Sequence, residues 1–229
     1  MARRRVANPL ALAVLSCLIE RPMHPYEIST TLKERGKEQS IKLNYGSLYS
    51  VVDSLHNHGL VQAQETSRDG RRPERTVYAI TDAGRAEFED WLAELLSTPV
   101  QDFTSLEAGL SLMPGLPPDQ VATQLEARAD RLRAEIERLD AMHAGARARN
   151  LPDLFLVESV YRVRLLSTEL EFVADLARDI RSGALPGVTT WRRIHELHAD
   201  GIPVEEIFAD PVRHLGEEGR ILLPSEHQN

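Results

Sequence analysis

Between Pro9 and Gly84 the spacing of apolar residues switches from a helical period to strict alternation, and glycine and proline punctuate the junctions, which leaves few compact arrangements open. Pro9 to Glu20 carries Leu10, Leu12, Val14, Leu15, Leu18 and Ile19 around most of a helix circumference, so this helix needs partners on several sides. A second helix is predicted from Pro25 or Tyr26 to about Arg35. Proline is tolerated in a first turn, and Tyr26, Ser29, Leu32 and Lys33 fall at helical spacing before Gly36. The third, capped by Asn44, puts Leu48, Val51, Val52 and Leu55 on one stripe and ends at Gly59. Leu60 to Thr66 and Arg75 to Ile80 then read as two strands. The tip between them, Ser67-Arg68-Asp69-Gly70-Arg71-Arg72-Pro73, contains the hairpin signal Asp69-Gly70. Thr76, Tyr78 and Ile80 share one face of the second strand, and Val77 and Ala79 the other.

Three helices followed by an arginine-tipped hairpin is the layout of a winged helix-turn-helix, which holds one helix in a DNA groove. The outer face of the third helix is Gly46, Ser50, Asp53 and Asn57, flanked by Ser47 and Tyr49. Small hydrogen-bonding groups suit close approach to bases and phosphates, whereas an ordinary solvated helix more often carries Lys and Glu pairs. Asp53 counts against a purely electrostatic role. The candidate DNA-binding residues are Asn44, Tyr45, Ser47 and Ser50 toward base edges and Tyr49 toward phosphate. Arg5, Lys42, Arg68, Arg71, Arg72 and Arg75 supply charge to the backbone. Taken without the helix, the same arginines also fit a solvated edge hairpin whose charges discourage aggregation.

Formal net charge is −8 over the chain, which alone argues against a polyanionic partner. The charge is unevenly divided. Residues 1–85 hold 13 Lys plus Arg against 9 Asp plus Glu, a net of +4, and residues 86–229 hold 14 against 26, a net of −12. All three lysines and the Arg3-Arg4-Arg5 run lie in the basic part, the asymmetry expected when one part touches nucleic acid.

These residues resemble the PadR family of bacterial transcriptional regulators. Pro22-Met23-His24-Pro25-Tyr26-Glu27-Ile28 is similar to that family's lead-in to the second helix, and Gly46-Ser47-Leu48-Tyr49 with His58-Gly59-Leu60-Val61 to its recognition helix and exit. Thr81-Asp82-Ala83-Gly84-Arg85 resembles its helix start after the wing. Pro25 stands where the family usually has glycine, and Tyr45 where it often has proline at the first recognition-helix position. The resemblance is specific over 9–96, weaker over 102–182 and absent from 184 onward. It implies a repressor released by a small, commonly aromatic, ligand, and Trp91 and Phe103 are the residues such a ligand would meet. Trp91 on a helical stripe is also a core residue by pattern.

From Thr81 a helix runs through Phe88, Trp91, Leu92, Leu95 and Leu96 to Pro99, and Thr104 to Glu107 has the spacing of a capping box before Leu106, Leu110 and Met113. Pro117-Pro118 opens a long helix with Val121, Leu125, Ala129, Leu132, Ile136, Leu139 and His143 in steps of three and four. After a Gly145 to Pro152 interruption a second shows Leu154, Val157, Tyr161, Leu165, Thr168, Phe172 and Leu176. The two are predicted to fold back antiparallel. Their surplus apolar surface, at about 1.5–3 kcal/mol per buried large side chain, favours pairing with a second copy. The resemblance likewise implies a dimer through this region. Leu125, Leu132, Ile136, Leu139, Tyr161, Leu165 and Phe172 are the expected interface, with an intramolecular bundle as the alternative. The chain is therefore predicted to be mainly α: an amino-terminal winged helix-turn-helix over 1–85, a connecting helix over 86–101, a helical, coiled-coil-like dimerisation domain over 102–183, and a tail over 184–229 to which no function is assigned, with short helices read from Trp191 to His198 and from Pro203 to Ala209 and a frayed last dozen residues.

No apolar run approaches the 18 residues of a membrane span, Arg3-Arg4-Arg5 with Leu10 to Ile19 lacks a cleavage site, and Cys17 is the only cysteine, so a cytoplasmic chain without disulfides is expected. No phosphate-binding glycine loop or nucleophile elbow occurs, and neither an enzyme nor a cofactor is expected. His195 and His198 are three apart rather than the four of a zinc-protease helix, and His56 and His58 are two apart, so no metal site is expected. The expected partners are double-stranded DNA, a second copy and a small aromatic effector. A winged-helix adaptor that binds protein instead of DNA is the competing reading, because a fold alone does not fix a function.

Overall fold

A computed structural model describes residues 8–41, 45–67 and 75–222. The chain divides into two compact units, Met1–Gln101 and Asp102–Asn229.

In the first unit, α1 (Pro9–Glu20) starts where the Asn8 side chain accepts a hydrogen bond from the Leu10 amide at 3.0 Å, with Pro9 in the first turn. Its apolar circumference meets α2 (Pro25–Glu34), α3 (Tyr45–Asn57), the second strand and α4 (Asp82–Ser97), and Leu10, Val14, Leu15 and Leu18 are buried. Gly59, at φ 72°, ends α3. Its amide donates to His56 O at 2.9 Å and the Leu60 amide to Leu55 O at 2.9 Å, the paired closure that a left-handed glycine permits. Strands β1 (Val61–Ser67) and β2 (Arg75–Ile80) pair antiparallel from Val61 opposite Ile80, with a register shift between Gln64 and Thr66. Met23 adds a bridge to Tyr78, each amide donating to the other's carbonyl at 3.0 Å. That long-range pairing has no local signal in the sequence.

Helix α4 belongs to this unit. Thr81 caps it, accepting from the Gly84 amide at 3.0 Å, and the Thr81 hydroxyl also lies 2.7 Å from Gly59 O and 3.1 Å from Leu60 O. Trp91 is buried among α1, α2 and α3 residues, so the helix expected merely to connect is part of the amino-terminal core. Trp91 is thus a core residue, the reading its helical stripe favoured, while Phe103, in the other unit, is 84% exposed. The two share no site within either unit.

In the second unit, Thr104 caps α5 (Ser105–Leu112) by accepting from the Glu107 amide at 3.1 Å. Helices α6 (Pro118–Ala148) and α7 (Val157–Ser182) form an antiparallel hairpin, recorded by Arg128 with Glu169 at 2.6 Å, Arg181 with Glu126 at 2.9 Å and His143 Nε2 with Ser159 Oγ at 2.8 Å. Helix α6 continues through Gly145 for a further three residues. The α6 stripe read from the sequence faces α7, with Val121, Leu125, Ala129, Leu132, Leu139 and His143 buried and Ile136 half-buried. The α7 stripe, apart from the half-buried Leu176, does not face α6. Its inward residues are Ser159, Val163, Leu166, Leu170, Val173, Ala177 and Ile180, one step round from the expected set. Leu125, Leu132 and Leu139, expected at a two-fold contact, are therefore taken up inside one copy, whereas Tyr161, Leu165 and Phe172 are 63%, 53% and 51% exposed.

The two short helices read from Trp191 to His198 and from Pro203 to Ala209 are present as α8 (Val188–Ala199) and α9 (Val204–Ala209), and α10 (Pro211–Leu215) and a following 3-10 segment, which the sequence did not announce, complete residues 184–222. Val188, Leu197 and Ile207 are buried here, which explains why so short a set of helices holds together.

Candidate nucleic-acid interface

Helix α3 has two sharply different faces. Leu48, Val51, Val52 and Leu55 are buried in the amino-terminal core, which fixes the helix's rotation. That rotation turns Gly46, Tyr49, Ser50, Asp53 and Asn57 to solvent and leaves Ser47 half-buried. Ser50 Oγ donates to Gly46 O at 3.3 Å, a long bond back onto the helix that leaves the hydroxyl's acceptor capacity outward. The outer surface carries no Lys or Arg. Its means of recognition are backbone proximity, the hydroxyls of Tyr49 and Ser50, one amide and one carboxylate, and a carboxylate near base edges accepts from the cytosine amine while repelling phosphates.

Tyr49 is oriented by a residue that the sequence reading passed over. His24 Nδ1 accepts from the Tyr26 amide at 3.1 Å and so caps α2, and the His24 ring stands edge-on to Tyr49 with centroids 6.5 Å apart. A carbonyl-free cap of this kind makes Nδ1 the acceptor and puts the ring proton on Nε2. The amino ends of α2 and α3 are thereby joined through one imidazole, with Tyr26 and Tyr49 exposed beside it. Histidine is not a favoured cap residue, and the only sequence clue was Pro25 immediately after it.

At the other end of α3, His56 Nδ1 donates to Val61 O at 3.1 Å and its ring meets Tyr78 edge-on at 5.9 Å, tying the helix exit to the wing. Burial, then the Asp53 carboxylate, pushes the Tyr78 phenol above its ordinary value, so it stays protonated. His58 Nδ1 donates to Ser54 O at 2.7 Å. Among the described residues no group of His, Cys, Asp or Glu is arranged to hold a metal ion.

Arg35 forks onto Glu20 at 2.5 and 2.8 Å, and Arg21 pairs with Glu27. Of the sequence-predicted contacts, the structure brings Ser47, Tyr49 and Ser50 together on α3. Tyr45 and Arg75 lie at the start of α3 and of β2, as their backbones show. Arg5, Lys42, Asn44, Arg68, Arg71 and Arg72 lie outside the described residues.

Residues 14–90 match the family described as Transcriptional regulator PadR-like family. A probable transcriptional regulator of Mycobacterium tuberculosis is 33% identical over 85 residues, 37% of this chain and 44% of that protein, so the chain spans less than half the length of that curated relative. Among solved structures the chain is similar to Bacillus subtilis PadR in complex with operator DNA, with a TM-score of 0.57 and 19% identity over 74% of this chain and 99% of that one. It is also similar to the Vibrio cholerae virulence activator AphA, with a TM-score of 0.55 and 15% identity over 76% and 98%, and to Bacillus subtilis PadR in complex with p-coumaric acid, with 0.55 and 18% over 73% and 94%. At these identities the structural likeness establishes the fold.

Proposed function

We infer, for a chain that belongs through residues 14–90 to the PadR-like family of transcriptional regulators, that it is a sequence-specific DNA-binding regulator acting as a homodimer on a palindromic operator. The observation that carries this reading is α3, whose buried stripe turns the small residues Gly46 and Ser50 outward near its amino end, with Tyr49 exposed beside them, so that its backbone can approach a groove floor there.

In this reading α3 enters the major groove with Asn44, Tyr45, Ser47 and Ser50 near base edges, and Tyr49, steadied by His24, reaches phosphate. Arg68, Arg71, Arg72 and Arg75 of the wing, with Arg5 and Lys42, neutralise the backbone. The operator complex of Bacillus subtilis PadR supports the assignment to duplex DNA. The exposed outer stripe of α7, Tyr161, Leu165 and Phe172, supplies the contact with a second copy. A two-fold pair sets its α3 helices one turn of duplex, roughly 34–36 Å, or a multiple of it apart, hence an inverted repeat. The p-coumaric acid complex of that PadR supports an aromatic effector and repression relieved by it. No described helix is long and apolar enough to cross a membrane.

Selection of bound duplexes from a random pool at physiological salt tests the reading. It is expected to return one inverted repeat whose binding weakens steeply with salt. Arg71→Ala with Arg72→Ala is expected to flatten the log-log salt slope by about 1.8, at roughly 0.9 per phosphate neutralised. A pool that stays random, with salt-insensitive association, defeats the DNA assignment.

A further inference from the structure

We propose that the carboxy-terminal helices form a binding pocket for a small planar apolar molecule that carries one hydroxyl or N–H donor. The pocket lies wholly within the second unit, between α8, α9 and the turn that joins α5 to α6, and its volume is about 690 Å³. That is within the range of small-molecule sites, about 300–1,000 Å³. Met113, Leu185, Trp191, Ile194, Val204 and Phe208 make it apolar, and an indole and a phenyl ring favour a flat occupant through offset or edge-on stacking.

Its walls are held in place before anything binds. Trp191 Nε1 donates to Leu116 O at 2.9 Å and to Pro114 O at 3.2 Å, and His195 Nε2 donates to the same Pro114 O at 2.9 Å. These bonds fasten α8 to the turn at 113–116, so a ligand meets a site already ordered. They also fix chemistry. A carbonyl oxygen only accepts, so His195 holds its proton on Nε2 and its Nδ1 is an acceptor in the neutral ring. By the same reasoning His198, 3.2 Å from Ile202 O through Nδ1, carries its acceptor at Nε2. Both rings border the pocket. An apolar chamber bordered by two imidazole acceptors discriminates in favour of a molecule that brings a donor, and among the described residues the lining includes no Lys or Arg to hold a carboxylate. The spacing that excludes a zinc-protease helix for His195 and His198 thus suits two side chains bordering one wall.

The proposal does not depend on the DNA reading and is tested without DNA. The full chain labelled at its two tryptophans is titrated at pH 8 with 2-naphthol, and with 2-methoxynaphthalene as the shape-matched probe lacking a donor. The expected result is saturable binding of one 2-naphthol per chain that moves the Trp191 indole signal, assigned with Trp191→Phe, and leaves that of Trp91 in place. 2-Naphthol is expected to bind about three- to tenfold more tightly than the ether, the worth of one hydrogen bond. His198→Leu is expected to erase that preference, and Val204→Phe, which fills the chamber, to weaken both probes at unchanged helix content. Equal affinity of the wild-type chain for both probes overturns the donor class. Failure of either probe to move Trp191 at millimolar concentration overturns the site, and that comparison needs no variant that must fold.

Discussion

Two glycine-to-alanine changes of identical chemistry should move stability in opposite directions. A Cβ built on Gly84 would lie 2.0 Å from Leu60 O, 2.9 Å from Ile80 Cγ1 and 3.0 Å from Leu60 C. Comfortable carbon contacts lie near 3.5–4.0 Å, so the first turn of α4 must retreat by roughly 1–1.5 Å. Neither side can yield cheaply. Leu60 is held by its amide bond to Leu55 O at 2.9 Å, and its carbonyl accepts from the Thr81 amide at 3.1 Å. The Thr81 hydroxyl, 2.7 Å from Gly59 O, caps the very turn that would have to move. Overpacking of about 1–3 kcal/mol and a damaged cap of about 1 kcal/mol give roughly 2–4 kcal/mol for Gly84→Ala. For a unit of this size that is a fall of roughly 8–30 °C in its Tm. A Cβ on Gly109, in α5, meets nothing within 4 Å. There the change removes only backbone freedom, and a gain of about 0.4–1 kcal/mol is expected. Differential scanning calorimetry of both variants decides the matter. Gly84→Ala within about 0.5 kcal/mol of the parent, or Gly109→Ala as harmful as Gly84→Ala, refutes the packing argument.

Three further outcomes are expected. The hydrogen bonds from Arg35, aided by its charge and that of Arg21, hold the Glu20 carboxyl below its ordinary value. Its contribution is therefore present above the ordinary carboxylate range and lost as pH falls through the folded value. Glu20→Gln should cost at most about 1 kcal/mol at pH 7, because both groups are half exposed, and the difference should vanish in acid urea melts; a constant difference across pH contradicts this. Burial pushes the Cys17 thiol from 9.0 up to about 11, so native-state labelling by iodoacetamide at pH 8 should be at least about a hundredfold slower than in denaturant, and equal rates would mean α1 is not packed. Leu165→Glu with Phe172→Glu should halve the mass seen by light scattering without loss of helix, whereas Leu139→Ala should keep the mass and cost about 2–5 kcal/mol of fold stability. An unchanged mass for the first pair moves the self-contact off the outer stripe of α7.

What the sequence made legible was local. Thr81 and Thr104 cap the helices they precede, and Gly59 closes α3, because each signal acts on amides or carbonyls within a few residues. The inner face of α3 was equally readable, since one apolar stripe on an otherwise polar helix admits one orientation. The Met23 bridge to Tyr78 and the register shift near Gln64 depend on a partner far along the chain, and no residue type announces them. His24 was missed as a cap because imidazole is seldom the acceptor there. Helices α8 and α9 were legible from Trp191 to His198 and from Pro203 to Ala209, whereas α10, only five residues long, shows too little periodicity to read before its partners are known.

Helix α7 shows how periodicity stops short of orientation. It carries two apolar stripes with the same three-four spacing, one of Leu166, Leu170, Val173, Ala177 and Ile180 and one of Tyr161, Leu165 and Phe172. Period tells that a stripe wants a partner, not which partner is on which side. The larger residues drew the sequence reading to the outer stripe. The inner one wins within the chain because small side chains at Ala129, Ala177 and Val173 let α6 and α7 pack close, and closeness lets Arg128, Arg181 and Arg162 reach carboxylates across the hairpin. The proposed second copy would cover the unburied stripe of a helix that already has its intrachain partner. Trp91 supplies the matching constraint at the other end. Its indole packs in the same core as the inner stripe of α3, so α4 is part of the amino-terminal unit, and regular structure is interrupted only after it, from Thr98 to Thr104.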